Sequence, residues 1–298
     1  MKISSSILKR TFLACFCLLL LTSCKTKIAY SFLDFIIHWQ IDNYVTLDAK
    51  QKEKAKGIVD DFHQWHRATQ LPRYANYVEG LKVRLTKEAV TGQSIHWETD
   101  QIQDLLDTSA HRLIPEAAAI MTTFSDQQVA EVIAEMAKER EKYAKKHVNV
   151  SLDKVYKERI KELEKNTQRL FGSFTKEQKQ WVNEWVTQLK PYEELTLKQQ
   201  ETWAQNLKAA FDDRANQEKM ENTLLELLFY RTDYWDQELQ DRLDYNQVLT
   251  YDLMAKILNN LTPKQKHKMD KELDQYVSDF NELARAAKTE KVRLSRSH

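Results

Sequence analysis

The chain has 298 residues, with 45 lysines and arginines against 44 aspartates and glutamates. So balanced a charge excludes the basic footprint of a nucleic-acid-binding domain. Only four glycines and four prolines occur, far below average usages of roughly 7% and 5%, which excludes a hairpin-rich β architecture whose turns need them.

Three zones mark the N-terminus. Lys2, Lys9 and Arg10 give a positive start, Phe12 to Leu21 is an unbroken apolar run of ten residues, and Leu21-Thr22-Ser23-Cys24 closes it. A membrane-spanning helix needs about 20 apolar residues, whereas a run of this length with these flanks fits the core of a secretion signal. The closing box has the form of a bacterial lipobox: an apolar residue, two small residues that fit a peptidase cleft, and a thiol that accepts diacylglycerol. The expectation is a lipoprotein signal peptide over 1–23, cleaved so that Cys24 becomes the lipidated first residue. Cys15 and Cys17 leave with the signal and Cys24 carries lipid, so the mature 275 residues keep no thiol for a disulfide, a zinc–thiolate site or a nucleophile. Mature charge becomes 42 basic against 44 acidic residues.

After Cys24, Lys25 and Lys27 precede Ile28, Tyr30, Phe32, Leu33, Phe35, Ile36, Ile37 and Trp39. This stretch fits the membrane interface, but Asp34 and Asp42 interrupt it, and packing onto the protein's own helices is the preferred reading. Glu, Lys, Gln, Leu and Ala, all good helix formers, dominate the rest of the chain. A short form recurs at the expected helix starts: Leu47-Asp48 with Gln51, Phe124-Ser125 with Gln128, Phe174-Thr175 with Gln178, Leu195-Thr196 with Gln199, Leu261-Thr262 with Gln265, and an imperfect Leu85-Thr86 with Ala89. A Ser, Thr or Asp cap with Gln three residues on is a capping box, and the preceding Leu or Phe suits a hydrophobic staple. The uneven spacing reads as repeated punctuation of decayed helical repeats rather than a regular solenoid.

Trp65-His66-Arg67 and Leu71-Pro72-Arg73-Tyr74 form the most distinctive string. Pro72 ends one helix or starts the next. The functional reading makes His66, Arg67, Arg73 and Tyr74 a ligand or partner corner, with the arginines as planar forks for carboxylate or phosphate; the structural reading, preferred, makes it an interhelical corner. Asp60, His63 and His66 are a weak metal candidate, because the first and third diverge by about 120° around a helix. Neither a metal nor a cofactor is expected. The histidines elsewhere, His147 among them, are scattered. Further on, Trp181, Trp185 and Leu189 recur every four residues, and a stripe from Leu224 through Leu239 and Leu253 to Ile257 predicts one helix from about Glu221 to Asn259, roughly 58 Å long. Arg285, Lys288, Lys291, Arg293 and Arg296 suit a helix end and a loose tail over 291–298.

The fold class expected is all-α: a multi-helix bundle or elongated array with at least one long helix, as a single periplasmic domain over 24–290. No GxSxG, P-loop, GxGxxG or HExxH occurs, so an enzyme is not expected. Taken in order, the lipobox, the aromatic stretch, Leu47-Asp48 and the Trp65–Tyr74 string, continued by Phe174-Thr175 and Trp181, resemble a family of uncharacterised bacterial envelope lipoproteins, a domain-of-unknown-function family that implies no activity. Leu261 to Gln265 and Leu195 to Gln199 are also similar to the LTxxQ motif of small periplasmic helical stress chaperones. The functional expectation is an envelope lipoprotein, lipid-anchored and facing the periplasm, acting as a binding or scaffold protein. A chaperone-like holdase is the alternative and an envelope enzyme the third reading. The partners expected are the membrane, through the lipid, and another envelope protein. Lys25 lies where Asp would retain a lipoprotein in the inner membrane, which by resemblance to that sorting habit points to the outer membrane.

Overall fold

The structure, a computed structural model, describes Tyr30, residues 32–229 and residues 235–295, with side chains as far as residue 287. Cys24 and the signal segment lie outside the described residues. Every regular element among them is helical. In chain order these are α1 (Leu33–Tyr44), α2 (Ala49–Trp65), the π-helical turn π1 (His66–Gln70), α3 (Leu71–Lys87), α4 (Gly92–Met121) and α5 (Asp126–Tyr143). There follow π2 (Ala144–Val148), α6 (Leu152–Phe171), α7 (Lys176–Gln188), α8 (Glu193–Asp212), α9 (Gln217–Phe229), α10 (Gln237–Asn259) and α11 (Pro263–Ser295). The chain is all-α, and its longest helices, α4 and α11, run for 30 and 33 residues. None of the helices among the described residues is long and apolar enough to cross a membrane.

Four of the recurrent boxes start helices as their chemistry requires. In α2, α5 and α7 the Asp48, Ser125 and Thr175 side chains accept from the backbone N–H three residues on, and the glutamine there accepts from the cap N–H in return. Thr262 and Gln265 make the same reciprocal pair at the start of α11. The staples Leu47, Phe124, Phe174 and Leu261 are all buried.

The four boxes also meet in pairs. Gln51 and Gln128, 77 residues apart, bond amide to amide, and Gln51 reaches the Thr123 carbonyl while Gln128 reaches that of Thr46. Gln178 and Gln265, 87 residues apart, repeat this, with Gln178 on the Asn260 carbonyl and Gln265 on that of Ser173. In every case the amide donates to the carbonyl two residues before the partner's cap. Each knot therefore closes two helix N-termini over a shared, buried amide pair. The irregular punctuation of the sequence resolves into two equivalent knots.

Two boxes behave otherwise. Leu195–Gln199 lies inside α8, which starts earlier, behind Pro191, at Glu193. Leu85–Ala89 spans the end of α3, where the Thr86 hydroxyl bonds back to the Lys82 and Val83 carbonyls. The single helix expected over Glu221–Asn259 is also corrected. Asp236 has non-helical dihedrals and caps α10 by accepting from Glu238 and Leu239 N–H, so α9 and α10 are separate elements. Its stripe serves two cores rather than one: Leu224 joins the first cluster and Leu228 packs against it, while Leu253 and Ile257 join the second. At the other end, α11 runs through Ser295, into the stretch expected as a loose tail, because no Gly or Pro interrupts its helix formers.

Three apolar clusters hold the helices. The first gathers Leu47, Phe124, Phe211 and Met220 from α2, α4, α5, α8, α9 and their connections. The second gathers Phe171, Val182, Ile257 and Met269 from α6, α7, α10 and α11. The third gathers Tyr30, Leu33, Leu71, Tyr74, Ala75 and Phe280. Between α6 and α7 the chain turns at Gly172, whose φ of 90° is reached without strain only by a residue lacking Cβ. α11 lies along α3, π1 and α6 and so joins the second cluster to the third.

Candidate functional site

The corner between α2 and α3 contains the string that stood out in the sequence. Pro72 sits in the first turn of α3, yet no loop precedes it: the backbone stays right-handed helical from Trp65 through Leu71, with the Leu71 N–H bonded to the His66 carbonyl five residues back. Proline lacks an N–H and crowds the carbonyl four residues earlier. A widened π turn absorbs that defect while the rod continues.

The widening turns His66 inward. Its side chain is 1% exposed, with Nδ1 2.8 Å from the Tyr30 hydroxyl and Nε2 3.3 Å from the Tyr74 hydroxyl. The Tyr74 hydroxyl lies 3.1 Å from Ser109 Oγ on α4. Tyr30, His66, Tyr74 and Ser109 thus form one buried hydrogen-bonded row. A neutral imidazole suits it, since one ring nitrogen donates and the other accepts. Burial, reinforced by the neighbouring His63, pushes the His66 pKa down to about 4. Burial also drives the Tyr30 hydroxyl well above the ordinary phenol range. Phe62 and Tyr74 pack their rings 5.5 and 5.4 Å from that of His66.

His63, one turn earlier, pairs its Nδ1 with Asp34 of α1 at 3.0 Å. Its pKa is lowered by burial, with Asp34 acting in the opposite direction. Asp60 is exposed and His66 is engaged with tyrosines, so the Asp60–His63–His66 trio does not converge. Among the described residues no group of three His, Cys, Asp or Glu side chains is placed to hold a metal ion.

The two arginines part company. Arg67 is half-buried beside Tyr30 and His63, and its charge acts on both. Arg73 is exposed and donates to Gln70 Oε1 at 2.9 Å. Of the four residues proposed as a ligand corner, the structure brings His66 and Tyr74 into contact with each other, with Arg67 at the edge and Arg73 outside. Chemically the arrangement is a closed polar tie. It joins Tyr30, π1, α3 and α4, and Phe280 of α11 packs on it through Tyr74.

A second polar cluster surrounds π2. Arg159 of α6 pairs with Glu193 at the start of α8, both side chains nearly buried, and lies 4.7 Å over the Tyr192 ring. The Tyr143 and His147 rings stand 4.8 Å apart. Burial raises the Tyr143 pKa; burial first, and then Lys146, lowers that of His147. Sequence reasoning left His147 among the scattered histidines. The available signal was the Tyr143–His147 spacing of one helical turn, but nothing local points to Arg159 or Glu193, which come from other helices.

Among known proteins, the model of a family of unknown function, DUF6279, matches residues 43–242. No curated protein and no solved structure matches the chain.

Proposed function

The chain belongs to the DUF6279 family of unknown function, and on that premise we propose that it is a lipid-anchored envelope lipoprotein whose helical body binds or scaffolds an envelope partner. The observation that carries the anchor is the lipobox Leu21-Thr22-Ser23-Cys24 behind a positive start and a ten-residue apolar run. Membrane attachment by several acyl chains on one cysteine is stable where a single chain is marginal. The body then works at the periplasmic face of the membrane, the outer one by the sorting habit read at Lys25.

Binding is preferred over chaperone-like holding because, of the two LTxxQ-like boxes, Leu261–Gln265 uses its glutamine as a buried cap bonded to Gln178, and Leu195–Gln199 lies within α8. The likeness therefore has a structural explanation that needs no client. Catalysis has less support still, since both ring nitrogens of His66 are engaged inside the protein.

The test has two readouts. Radiolabelled palmitate should mark the wild-type chain, and Cys24→Ala should lose the label and the membrane fraction together; normal labelling of that variant overturns the anchor. Crosslinking from intact membranes followed by pull-down should recover one defined partner. A broad set of unfolded clients would favour the holdase instead.

A further inference from the structure

α1 is apolar on two opposite faces, and among the described residues only one of them packs into the fold. Leu33 is buried, while Ile37 and Ile41 pack against the third and first clusters. On the other side Phe32, Phe35 and Trp39 are 56%, 67% and 55% exposed. At about 100° per residue these three fall within roughly 60° of arc, across the helix from Leu33, Ile37 and Ile41. A row of large exposed side chains marks an interaction surface.

We infer that this outward row is a membrane-interface contact, with Phe32, Phe35 and Trp39 seated at the boundary between lipid headgroups and acyl chains. The inference rests on the lipid-anchor reading of Cys24. Phe32 follows Cys24 by eight residues, and a fully extended chain spans at most about 3.6 Å per residue, or about 29 Å here. A bilayer holding the cysteine is therefore permanently within reach of α1, and tethering raises its effective concentration at this face above that of any diffusing partner. Aromatic side chains, tryptophan above all, favour the headgroup level.

The polar residues are arranged to suit. Asp34, the acidic residue of the first turn, is drawn aside by His63 of α2. In the sequence Lys25 and Lys27 fall between Cys24 and the row, and basic side chains next to a lipid anchor are attracted by anionic headgroups. Exposed Gln40, Asp42 and Asn43 occupy the last turns, away from the tether. The aromatic row thus covers the part of the helix nearest the anchor and ends where polar side chains begin. α1 would lie along the surface while its inner face stays in the core.

The test uses the full lipidated chain in vesicles of phosphatidylethanolamine and phosphatidylglycerol, with and without brominated acyl chains. The emission lost in Trp39→Tyr isolates Trp39 from the other six tryptophans. That component should be quenched by brominated lipid. Phe32→Ser with Phe35→Ser should abolish the quenching and leave palmitate labelling, helicity and melting temperature unchanged. An unquenched Trp39 on a chain still labelled at Cys24 overturns the contact while the anchor stands. Quenching on an unlabelled chain removes the anchor and keeps the contact. A disulfide-linked dimer formed by Phe35→Cys, or capture of a protein there with Trp39 unquenched, assigns the face to that occupant and refutes the proposal.

Discussion

His66 hydrogen-bonds the Tyr30 and Tyr74 hydroxyls, and His63 is a titratable neighbour that opposes its protonation. An imidazolium there could still donate to both hydroxyls, so desolvation rather than hydrogen bonding keeps the ring neutral. Its pKa falls from about 6.5 in the unfolded chain to about 4 in the folded one. Between those values the unfolded state binds more protons. The contribution of His66 is therefore full above about pH 6.5 and is lost progressively as pH falls toward 4, by at most roughly 3 kcal/mol. His63, also lowered, acts with the same sign. His66→Gln keeps one donor and one acceptor and removes the titration. The expected outcome is a variant roughly 1–2 kcal/mol less stable at pH 7 with a flatter decline below it. Urea midpoints from pH 7.5 to 4 provide the check, and an unchanged pH slope in the variant would sink the assignment. At this scale the sequence is half legible. His66 and Tyr74 stand out because aromatic and basic residues crowd around Pro72, but their inward orientation depends on the π turn, and Tyr30 and Ser109 arrive from distant segments.

Helix starts are the most legible elements, because a capping box is satisfied within four residues. Asp48, Ser125, Thr175 and Thr262 cap as their neighbours dictate. Leu195–Gln199 and Leu85–Ala89 carry similar letters and do not. Thr196 follows a start already set behind Pro191, and Thr86 has carbonyls of its own helix to bond. Pairing of the true boxes is invisible locally, since Gln51 must find Gln128 across 77 residues and Gln178 must find Gln265 across 87. Each glutamine side chain caps its own helix, bonds its partner amide and satisfies a carbonyl beside the other cap. Replacing one by Ala should cost roughly 2 kcal/mol: a lost cap and buried groups left unpaired. Gln51→Ala and Gln128→Ala should then be strongly non-additive, with the double variant losing less than the sum by about 0.5–3 kcal/mol. Gln51→Ala with Gln178→Ala should add within about 0.5 kcal/mol, because the knots share no residue. Denaturant unfolding of both cycles decides the matter. Additivity inside a knot would mean the amide pair is incidental to the two caps.

For the molecule as a whole, the expectation of an all-α body is met because scarce Gly and Pro leave the chain little alternative to helix. How the second and third clusters are joined is a matter of α11, which no local pattern reveals. Met269 and Leu273 near its start belong to the second cluster, Phe280 and Ala284 further on to the third. The later half covers Leu71, Tyr74 and Ala75, which are 1%, 7% and 0% exposed. Phe280 sets its ring 5.9 Å from Tyr74, on the row containing His66. A chain ending after Asp274 would strip that cover, and each large apolar side chain removed forfeits roughly 1.5–3 kcal/mol of burial. With total stabilities of about 5–15 kcal/mol, losing Phe280 and its neighbours together should abolish the native third cluster. The expected signs are binding of a hydrophobic dye and a broadened or absent melting transition. Acid sensitivity at His66 should also fall, since an opened row lets water reach the ring and returns its pKa toward 6.5. A chain ending after Ala287 keeps Phe280 and Ala284 and should melt like the full protein. Were the shorter chain to melt cooperatively at the wild-type temperature, α3 and π1 would be shown to hold the third cluster without α11.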